Sequence, residues 1–313
     1  MVSVLLPLKI TTPPKRYETI GVCIFCNEPG KLTKEHLIPF GLAGNSLYMT
    51  KATCETCQKA THKFETDCLR HMWWPFRYRL GAPSQSGQKP KKFLLRRIRT
   101  TTKRPDGEYD LGYPSVEEVD PDRYPVSYLA MIFPEPGVLV GREPKTIIPQ
   151  TVWSKSETLA ASSLQRGHGI GMGAINPYSF AKLLAKIAHG YAKAELGEAF
   201  TPSLSNFVCG TSTPAICHWI GGDGEDAAML PAPPMHTIRW RIAVSGTKPY
   251  VVVDLRLFAF VGAPQYHIVV GEFIGSLDQL PFLEQPVYTI DVEIPPPTGQ
   301  TVPSGRRILT VSR

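Results

Sequence analysis

The architecture of this chain is set by residues 23–65, CIFCNEPGKLTKEHLIPFGLAGNSLYMTKATCETCQKATHKFE. The segment begins with Cys23-x-x-Cys26, and Cys54-x-x-Cys57 follows after 27 intervening residues. Four thiolates in two such pairs are the ligand set that structural zinc prefers. The separation exceeds the roughly 15–20 residues of small zinc ribbons, so we expect the intervening segment to loop out between the pairs. The alternative is a set of free or redox-active cysteines.

The residues between and after these cysteines predict a strand, a loop, a second strand and then a helix. Short apolar runs in the inner segment are separated by turn formers such as Pro39 and Gly44, as in a hairpin or a long loop. We expect Pro75 to end the helix that follows the second cysteine pair. Its apolar residues recur at helical spacing: Ala60, Phe64, Cys68 and Met72.

Composition places the chain among globular proteins. Of its 313 residues, 42% are hydrophobic and 19% are charged, which argues against disorder and against a coiled coil. Thirty prolines and 26 glycines imply many turns, which disfavours a helical bundle. No apolar run approaches the roughly 20 residues that span a bilayer, and no basic residues precede the apolar opening MVSVLLPLKI. We therefore expect a cytoplasmic protein with no membrane partner.

Charge is divided unevenly along the chain. Residues 1–105 contain 19 Lys and Arg against 6 Asp and Glu, a balance of +13, whereas the remainder has a balance of −6. Such asymmetry is expected where one part of a protein meets a polyanion. Residues 77–104 carry ten cations and no acid, which favours phosphate contact over a solvated basic face. The candidate nucleic-acid-binding residues are Lys91, Lys92, Arg96, Arg97, Arg99, Lys103 and Arg104.

The later part of the chain predicts an α+β domain. Asn176 is a suitable N-cap, Pro177 suits the first helical position and Gly197 suits the end of the same helix. Three strand-like runs separated by short turns predict an antiparallel meander over residues 237–244, 250–260 and 266–273. The predicted organisation is a leader (1–20), a zinc-stapled module (21–75), a basic nucleic-acid-binding extension (76–105) and an α+β domain of unknown role (106–313).

Two further features of the zinc-stapled module concern its chemistry. Glu35-His36 lies between the cysteine pairs, and His62 lies on the helix after the second pair. This combination resembles the HNH (ββα-metal) endonuclease family, in its zinc-bearing subgroup with paired CxxC knuckles. The resemblance covers residues 21–75. It implies a ββα-metal fold for this module. With the later domain predicted above, the expected fold class is α+β: an N-terminal zinc-stapled ββα-metal module followed by a mixed α+β domain with an antiparallel sheet.

The resemblance also implies a role for each of these residues. His36 would be the general base that takes a proton from the attacking water. Glu35 would bind a catalytic divalent ion, Mg²⁺, Mn²⁺ or Zn²⁺, with His62 as a second ligand and Glu65 as a candidate third. Each residue has a structural alternative, because an isolated Glu-His pair is usually an exposed loop dipeptide and a lone helix histidine is usually solvated.

The sequence departs from the family pattern at two positions. Gln58 stands where a second helical metal ligand is frequent in the family, one turn before His62. Met49 stands where the asparagine that supports the base is usual. Asn45 is the only asparagine nearby, and Lys51 is the nearest polar residue that could take a related role.

The function implied by this resemblance is hydrolysis of phosphodiester bonds in nucleic acid, with double-stranded DNA as the expected partner. Cleavage of both strands would need two modules, and the C-terminal domain would supply a homodimer contact, target choice or an inhibitory partner surface. The alternative is a non-catalytic zinc ribbon that binds nucleic acid, and a third candidate is a protein-interaction scaffold. Zinc and basic charge fit all three. Glu35-His36 discriminates between them, since a binding ribbon has no need of that pair.

Overall fold

The computed structural model describes residues 8–84, 92–103, 105, 109–111, 115–145, 151–156, 168–171, 175–210, 212, 214–223, 234–276 and 286–293. It is a mixed α+β structure whose strand pairs are antiparallel except for one, in agreement with the predicted class. No helix in this described part is both long enough and apolar enough to cross a bilayer.

The first part of the chain has the predicted strand, loop, strand, helix order around the cysteine pairs. Its elements are β1 (Lys9–Ile10), β2 (Lys15–Tyr17), β3 (Leu32–His36), α1 (Phe40–Ala43), β4 (Leu47–Cys54), α2 (Glu55–Thr66), a π-helical segment (Asp67–Met72) and α3 (Trp74–Arg79). The strands form a three-stranded sheet in the order β2-β4-β3. β2 is parallel to β4, and β3 is antiparallel to it.

Pro75 does not end the helical path, contrary to the prediction. α2 ends at Thr66, the π-helical segment continues to Met72, and Pro75 lies in the first turn of α3. A proline has no backbone N–H, and the N–H groups of a first helical turn have no partner within the helix. Pro75 is therefore a start signal here.

The middle of the chain forms two small sheets. Its elements are β5 (Phe93–Lys103), β6 (Tyr109–Leu111), β7 (Ser115–Val119), a 3₁₀ turn (Pro121–Arg123), β8 (Ser127–Met131), β9 (Val152–Ser156) and β10 (His168–Gly171). β5 pairs with β6, β7 and β10, and β8 pairs with β9. Much of the basic run predicted to bind nucleic acid is therefore part of a β-strand.

The last part is a six-stranded sheet with one long helix against it. Its elements are α4 (Pro177–Leu196), β11 (Phe200–Pro202), α5 (Ser205–Cys209), α6 (Ile216–Trp219), β12 (Ile220–Gly222), β13 (His236–Ser245), β14 (Lys248–Leu257), a 3₁₀ turn (Ala259–Val261), β15 (Tyr266–Phe273), β16 (Tyr288–Ile290) and β17 (Val292–Glu293). The sheet order is β11-β15-β14-β13-β16, with β12 also on β15. β13, β14 and β15 are the predicted antiparallel meander.

Helix α4 has the predicted ends. The Asn176 Oδ1 accepts hydrogen bonds from the backbone N–H groups of Tyr178 and Ser179, and Gly197 has a φ of 57° at the other end. Those two bonds satisfy N–H groups that have no partner within the helix. A β-carbon is disfavoured at positive φ, so glycine is the residue suited to this stop.

A single hydrophobic core joins the first and last parts of the described structure. Trp73 is fully buried, donates a hydrogen bond from its indole N–H to the Leu129 carbonyl at 2.8 Å, and packs against Phe180 of α4. Farther along α4, the His189 Nε2 donates to the Ile24 carbonyl at 2.6 Å. α4 thus lies between the cysteine-bearing part and the six-stranded sheet, and it contacts both.

Candidate functional site

The four cysteines of the two CxxC pairs come together as the sequence predicted. Their sulfur atoms all lie within 4.8 Å of one another, and those of Cys26 and Cys54 are 3.7 Å apart. Cys54 is the last residue of β4 and the N-cap of α2, and Cys57 lies in the first turn of that helix. The backbone N–H of Cys54 donates to the Cys23 sulfur at 3.4 Å. Among the described residues, no other three His, Cys, Asp or Glu side chains form such a group.

This cluster fits a zinc ion by the chemistry of its donors. Four soft thiolates with mutually close sulfurs match a closed tetrahedral zinc site, which leaves no coordination position for a substrate. Cys23 and Cys57 are buried, whereas Cys26 is exposed. The site therefore supplies structure rather than catalysis: a bound zinc would join the loop before β3 to the junction of β4 and α2.

A pocket of about 590 Å³ lies beside this junction. It is lined by residues from β3, α1, α2, the π-helical segment, α3 and α4. All four residues that the sequence nominated for catalysis and divalent-metal binding line it: Glu35, His36, His62 and Glu65. The structure therefore brings the predicted site residues to one place, although they come from two elements.

The protonation of His36 is fixed by its neighbour Asn45. The His36 Nε2 is 3.0 Å from the Asn45 Oδ1, and the Lys34 ammonium donates to the same oxygen at 2.7 Å. An ammonium can only donate, so the asparagine atom between them is an acceptor and the His36 Nε2 carries its hydrogen. The other ring nitrogen, Nδ1, then holds the lone pair, as a general base requires.

The surroundings of His36 keep its ring neutral. Burial lowers the pKa of His36 below its usual value, and the charges of Lys34 and Lys186 lower it further. The hydrogen bond to Asn45 and the charge of Glu35 act in the opposite direction without reversing the shift. A histidine with a lowered pKa stays deprotonated at neutral pH and can accept a proton there.

The carboxylate of Glu35 is engaged by protein groups on both sides. It is buried, its Oε1 lies 2.5 Å from the Lys186 ammonium, and its Oε2 accepts a hydrogen bond from the Thr53 hydroxyl at 2.8 Å. Lys186 also lies 2.9 Å from the Glu65 Oε1 and donates to the His36 carbonyl at 2.5 Å. The structure thus places an ammonium between the two carboxylates where the resemblance implied a divalent ion.

The remaining predicted helical ligand lies at the exposed rim of the pocket. His62 is exposed, and its Nε2 is 3.4 Å from the Thr66 hydroxyl one turn later. Gln58 lines the same pocket. Met49 is buried opposite Glu35 in the β3–β4 register. Asn45, and not residue 49, contacts the His36 ring.

The predicted nucleic-acid-binding residues are only partly described. Arg96, Arg97, Arg99 and Lys103 belong to β5, whereas Lys91 and Arg104 lie outside the described residues. Lys92 is exposed and forms an ion pair with Glu118 at 2.8 Å. Whether these residues meet phosphate stays a prediction.

The environment of Arg77 differs from the prediction that residues of the basic run contact phosphate. This arginine is buried and donates to the backbone carbonyls of Gly41, Leu69 and Pro83 at 2.7, 2.9 and 3.1 Å. Its guanidinium therefore satisfies carbonyl groups of the fold beneath the pocket. Its burial and these three hydrogen bonds favour a structural role over the phosphate contact that the basic run predicted.

A second ionic cluster lies on the six-stranded sheet. The two ring nitrogens of His267 contact Asp254 and Asp223 at 2.6 and 2.5 Å, and Arg239 and Arg241 also pair with Asp254. Burial tends to lower the pKa of His267, but the two carboxylates outweigh it and the pKa is raised. Because a carboxylate contacts each ring nitrogen, this cluster is suited to holding strands together and not to accepting a proton.

No family model, curated protein or solved structure matches this chain. Its function must therefore be argued from the zinc-ligand cluster and the adjoining pocket.

Proposed function

We propose that this protein hydrolyses phosphodiester bonds of nucleic acid, with His36 as the general base and with duplex DNA as the substrate. The observation that carries the proposal is the hydrogen bond between His36 and Asn45, which assigns the lone pair to Nδ1 of a histidine that lines the pocket. The strand, loop, strand, helix order around a four-thiolate cluster supports the same reading.

The reaction would use the pocket in a simple way. His36 Nδ1 accepts a proton from a water molecule, the water oxygen forms a bond to phosphorus, and the bond between phosphorus and the leaving 3′ oxygen of the deoxyribose breaks. The resulting imidazolium is stabilised by Asn45, whose Oδ1 accepts its Nε2–H. Solvent supplies the proton that the leaving oxygen takes up. Lys34 and Arg70 line the same pocket and are the proposed phosphate contacts.

The catalytic divalent ion implied by the family resemblance does not fit these side chains as they are arranged. Both oxygens of Glu35 are engaged, and Lys186 lies between Glu35 and Glu65. The proposed reaction therefore uses no such ion. The zinc ion, by contrast, fits its four thiolates and would hold β3, β4 and α2 in place.

Charge supports a polyanionic substrate. The first 105 residues have a balance of +13, and cations bound to phosphates release the counterions that surround nucleic acid. Because one module contains one candidate base, cleavage of both strands would need two copies, and the proposal therefore includes a homodimer.

The proposal is tested by replacing the base. In a plasmid-nicking assay with the full-length protein, His36→Ala should lower the rate by roughly 10²-fold or more, the usual contribution of a positioned proton acceptor. His71→Ala is the matched control, because His71 is an exposed histidine that does not line the pocket. Equal nicking by wild type, His36→Ala and His71→Ala would refute the assignment of His36.

The second candidate is a zinc module that binds nucleic acid without cleaving it. The ion pairs of Lys186 favour this candidate, because they engage the carboxylates of Glu35 and Glu65 in structural contacts. This candidate predicts salt-dependent DNA binding by the wild type with no nicking under any condition.

A further inference from the structure

We propose that the Lys186 ammonium permanently occupies the position between Glu35 and Glu65 that a divalent cation would take, so that this site works without a catalytic metal ion. The inference that catalysis needs no metal ion rests on the proposed function. The occupancy of the cation position by Lys186 does not rest on it and can be tested separately.

The geometry around Lys186 is that of a cation site with oxygen ligands. Two carboxylate oxygens and one backbone carbonyl lie within 2.5–2.9 Å of its nitrogen, from Glu35, Glu65 and His36. An ammonium has three N–H donors, so these three acceptors satisfy it completely. Lys186 is 1% exposed and has no donor left for a substrate. It is therefore a positioning residue, which orients His36 through the backbone and Glu35 through an ion pair.

The position of Lys186 in the fold opposes its displacement by a metal ion. It lies in the middle of α4, between the fully buried residues Ala185 and Ile187. Its aliphatic stem is therefore anchored in the core, and three oxygen atoms hold its ammonium at the pocket lining. A divalent ion entering between the carboxylates would leave a buried ammonium without partners, which is strongly unfavourable.

The acidic side of the site is equally fixed. Thr53 on β4 donates to the Glu35 oxygen that faces away from Lys186, which holds that carboxylate in one orientation. Glu65 comes from α2, Glu35 from β3 and Lys186 from α4. Lys186 thus connects α4 to β3 and α2 through ion pairs. A divalent ion bound between the two carboxylates would connect β3 and α2 in the same way.

The occupancy is tested with Mn²⁺ as the probe. The full-length, zinc-loaded protein is titrated with Mn²⁺, and the loss of the free-ion signal in electron paramagnetic resonance gives the amount bound. We expect the wild type and Glu35→Gln to bind the same amount, because Glu35 is not a metal ligand. One Mn²⁺ per chain that binds to wild type and is lost in Glu35→Gln would overturn the proposal.

A second variant tests whether the two carboxylates bind a metal ion once the ammonium is removed. Lys186→Met removes the ammonium and keeps the length of the aliphatic stem, so the two carboxylates should then bind one additional Mn²⁺ per chain. The double variant Lys186→Met/Glu35→Gln should lose that ion. A purely structural lysine predicts no gain of a metal site. If Lys186→Met does not fold, the comparison of wild type with Glu35→Gln still decides the question.

The catalytic part is tested by nicking in buffer stripped of divalent ions on a chelating resin, with zinc content measured before and after. We expect the wild type to retain its rate while its zinc remains bound. A rate that appears only when Mg²⁺ or Mn²⁺ is added, and that Glu35→Gln abolishes, would contradict the proposal. Absence of nicking under every condition would instead contradict the proposed function, while the Mn²⁺ titration would stand.

Discussion

At the scale of single residues, the most consequential contact is the one between His36 and Asn45. One amide oxygen accepts from two donors, the His36 ring and the Lys34 ammonium, and this determines which ring nitrogen holds the proton. The sequence predicted His36 as the base. It offered Asn45 and Lys51 as candidates to support that base and could not decide between them, because Asn45 is nine residues from His36 and reaches it through the turn after α1.

Replacement of Asn45 tests this arrangement. Asn45→Ala removes the acceptor that fixes the tautomer and stabilises the imidazolium, so we expect nicking to fall by roughly tenfold or more. In the wild type this hydrogen bond raises the pKa of His36. Its loss should therefore lower that pKa and move the acid limb of the rate profile to lower pH. The measurement is the nicking rate against pH.

Asn206→Ala serves as the control for that experiment, because Asn206 is an exposed asparagine on α5 that does not line the pocket. An Asn45→Ala profile identical to those of the wild type and Asn206→Ala would show that Asn45 does not support the base.

At the scale of elements, the cysteine cluster joins the pieces that carry the pocket. Cys54 ends β4 and caps α2, while Cys23 and Cys26 precede β3. The four sulfurs therefore connect the loop before β3, which carries His36, to the start of α2. The CxxC spacing was sufficient to predict this cluster, because the ligand set is local to each pair.

Loss of one thiolate should release the metal and disorganise these elements. For Cys54→Ser we expect less than one zinc per chain and a large loss of stability, since structural zinc contributes on the order of 10 kcal/mol to folding. Zinc content by elemental analysis and the thermal melting curve measure the two effects. Cys217 lies outside the cluster, so Cys217→Ser should keep the zinc content and the melting curve of the wild type. Full zinc content in Cys54→Ser would refute the ligand assignment.

Helix α4 shows where prediction from the sequence stops. Its caps were readable, because Asn176, Pro177 and Gly197 act locally. The role of its polar residues could not be predicted. They recur along the helix at i, i+3 and i+7, and the same spacing is typical of a helix side that faces solvent. In the structure that stripe is buried, and two of its three members reach the first part of the chain. The stripe consists of Lys186, His189 and Lys193.

At the scale of the whole molecule, the core shared by the two ends of the described structure contains two buried histidines. Burial lowers the pKa of His189 and that of His236 to about 4 each. His189 donates to Ile24, whereas His236 accepts from the Phe258 backbone and lies 3.4 Å from the Leu42 carbonyl. Each therefore joins the cysteine-bearing part to a distant element in its neutral form.

These histidines predict loss of stability in acid. A histidine with a depressed pKa in the folded state takes up its proton mainly on unfolding, so its contribution is intact above about pH 6.5 and falls as the pH decreases toward 4. The loss is on the order of 3 kcal/mol per histidine at the lower end. Urea unfolding across this range should show it.

Two variants separate the contributions in that measurement. His189→Gln should reduce the slope of unfolding free energy against pH, whereas the exposed His71→Gln should change it little. His267 acts with the opposite sign, because its pKa is raised and the stability that it contributes is lost as the pH rises. An unfolding free energy that does not vary between pH 6.5 and 4 would contradict the assignment.

The separation of Lys186 from His36 along the chain has a consequence for biosynthesis. The two residues are 150 positions apart, although their atoms lie 2.5 Å from each other. At ribosomal rates of roughly 5–20 residues per second, about 8–30 s pass between synthesis of His36 and synthesis of its lysine. During that interval the nascent chain carries two carboxylates without their cation, so the pocket is completed only after α4 has emerged and docked.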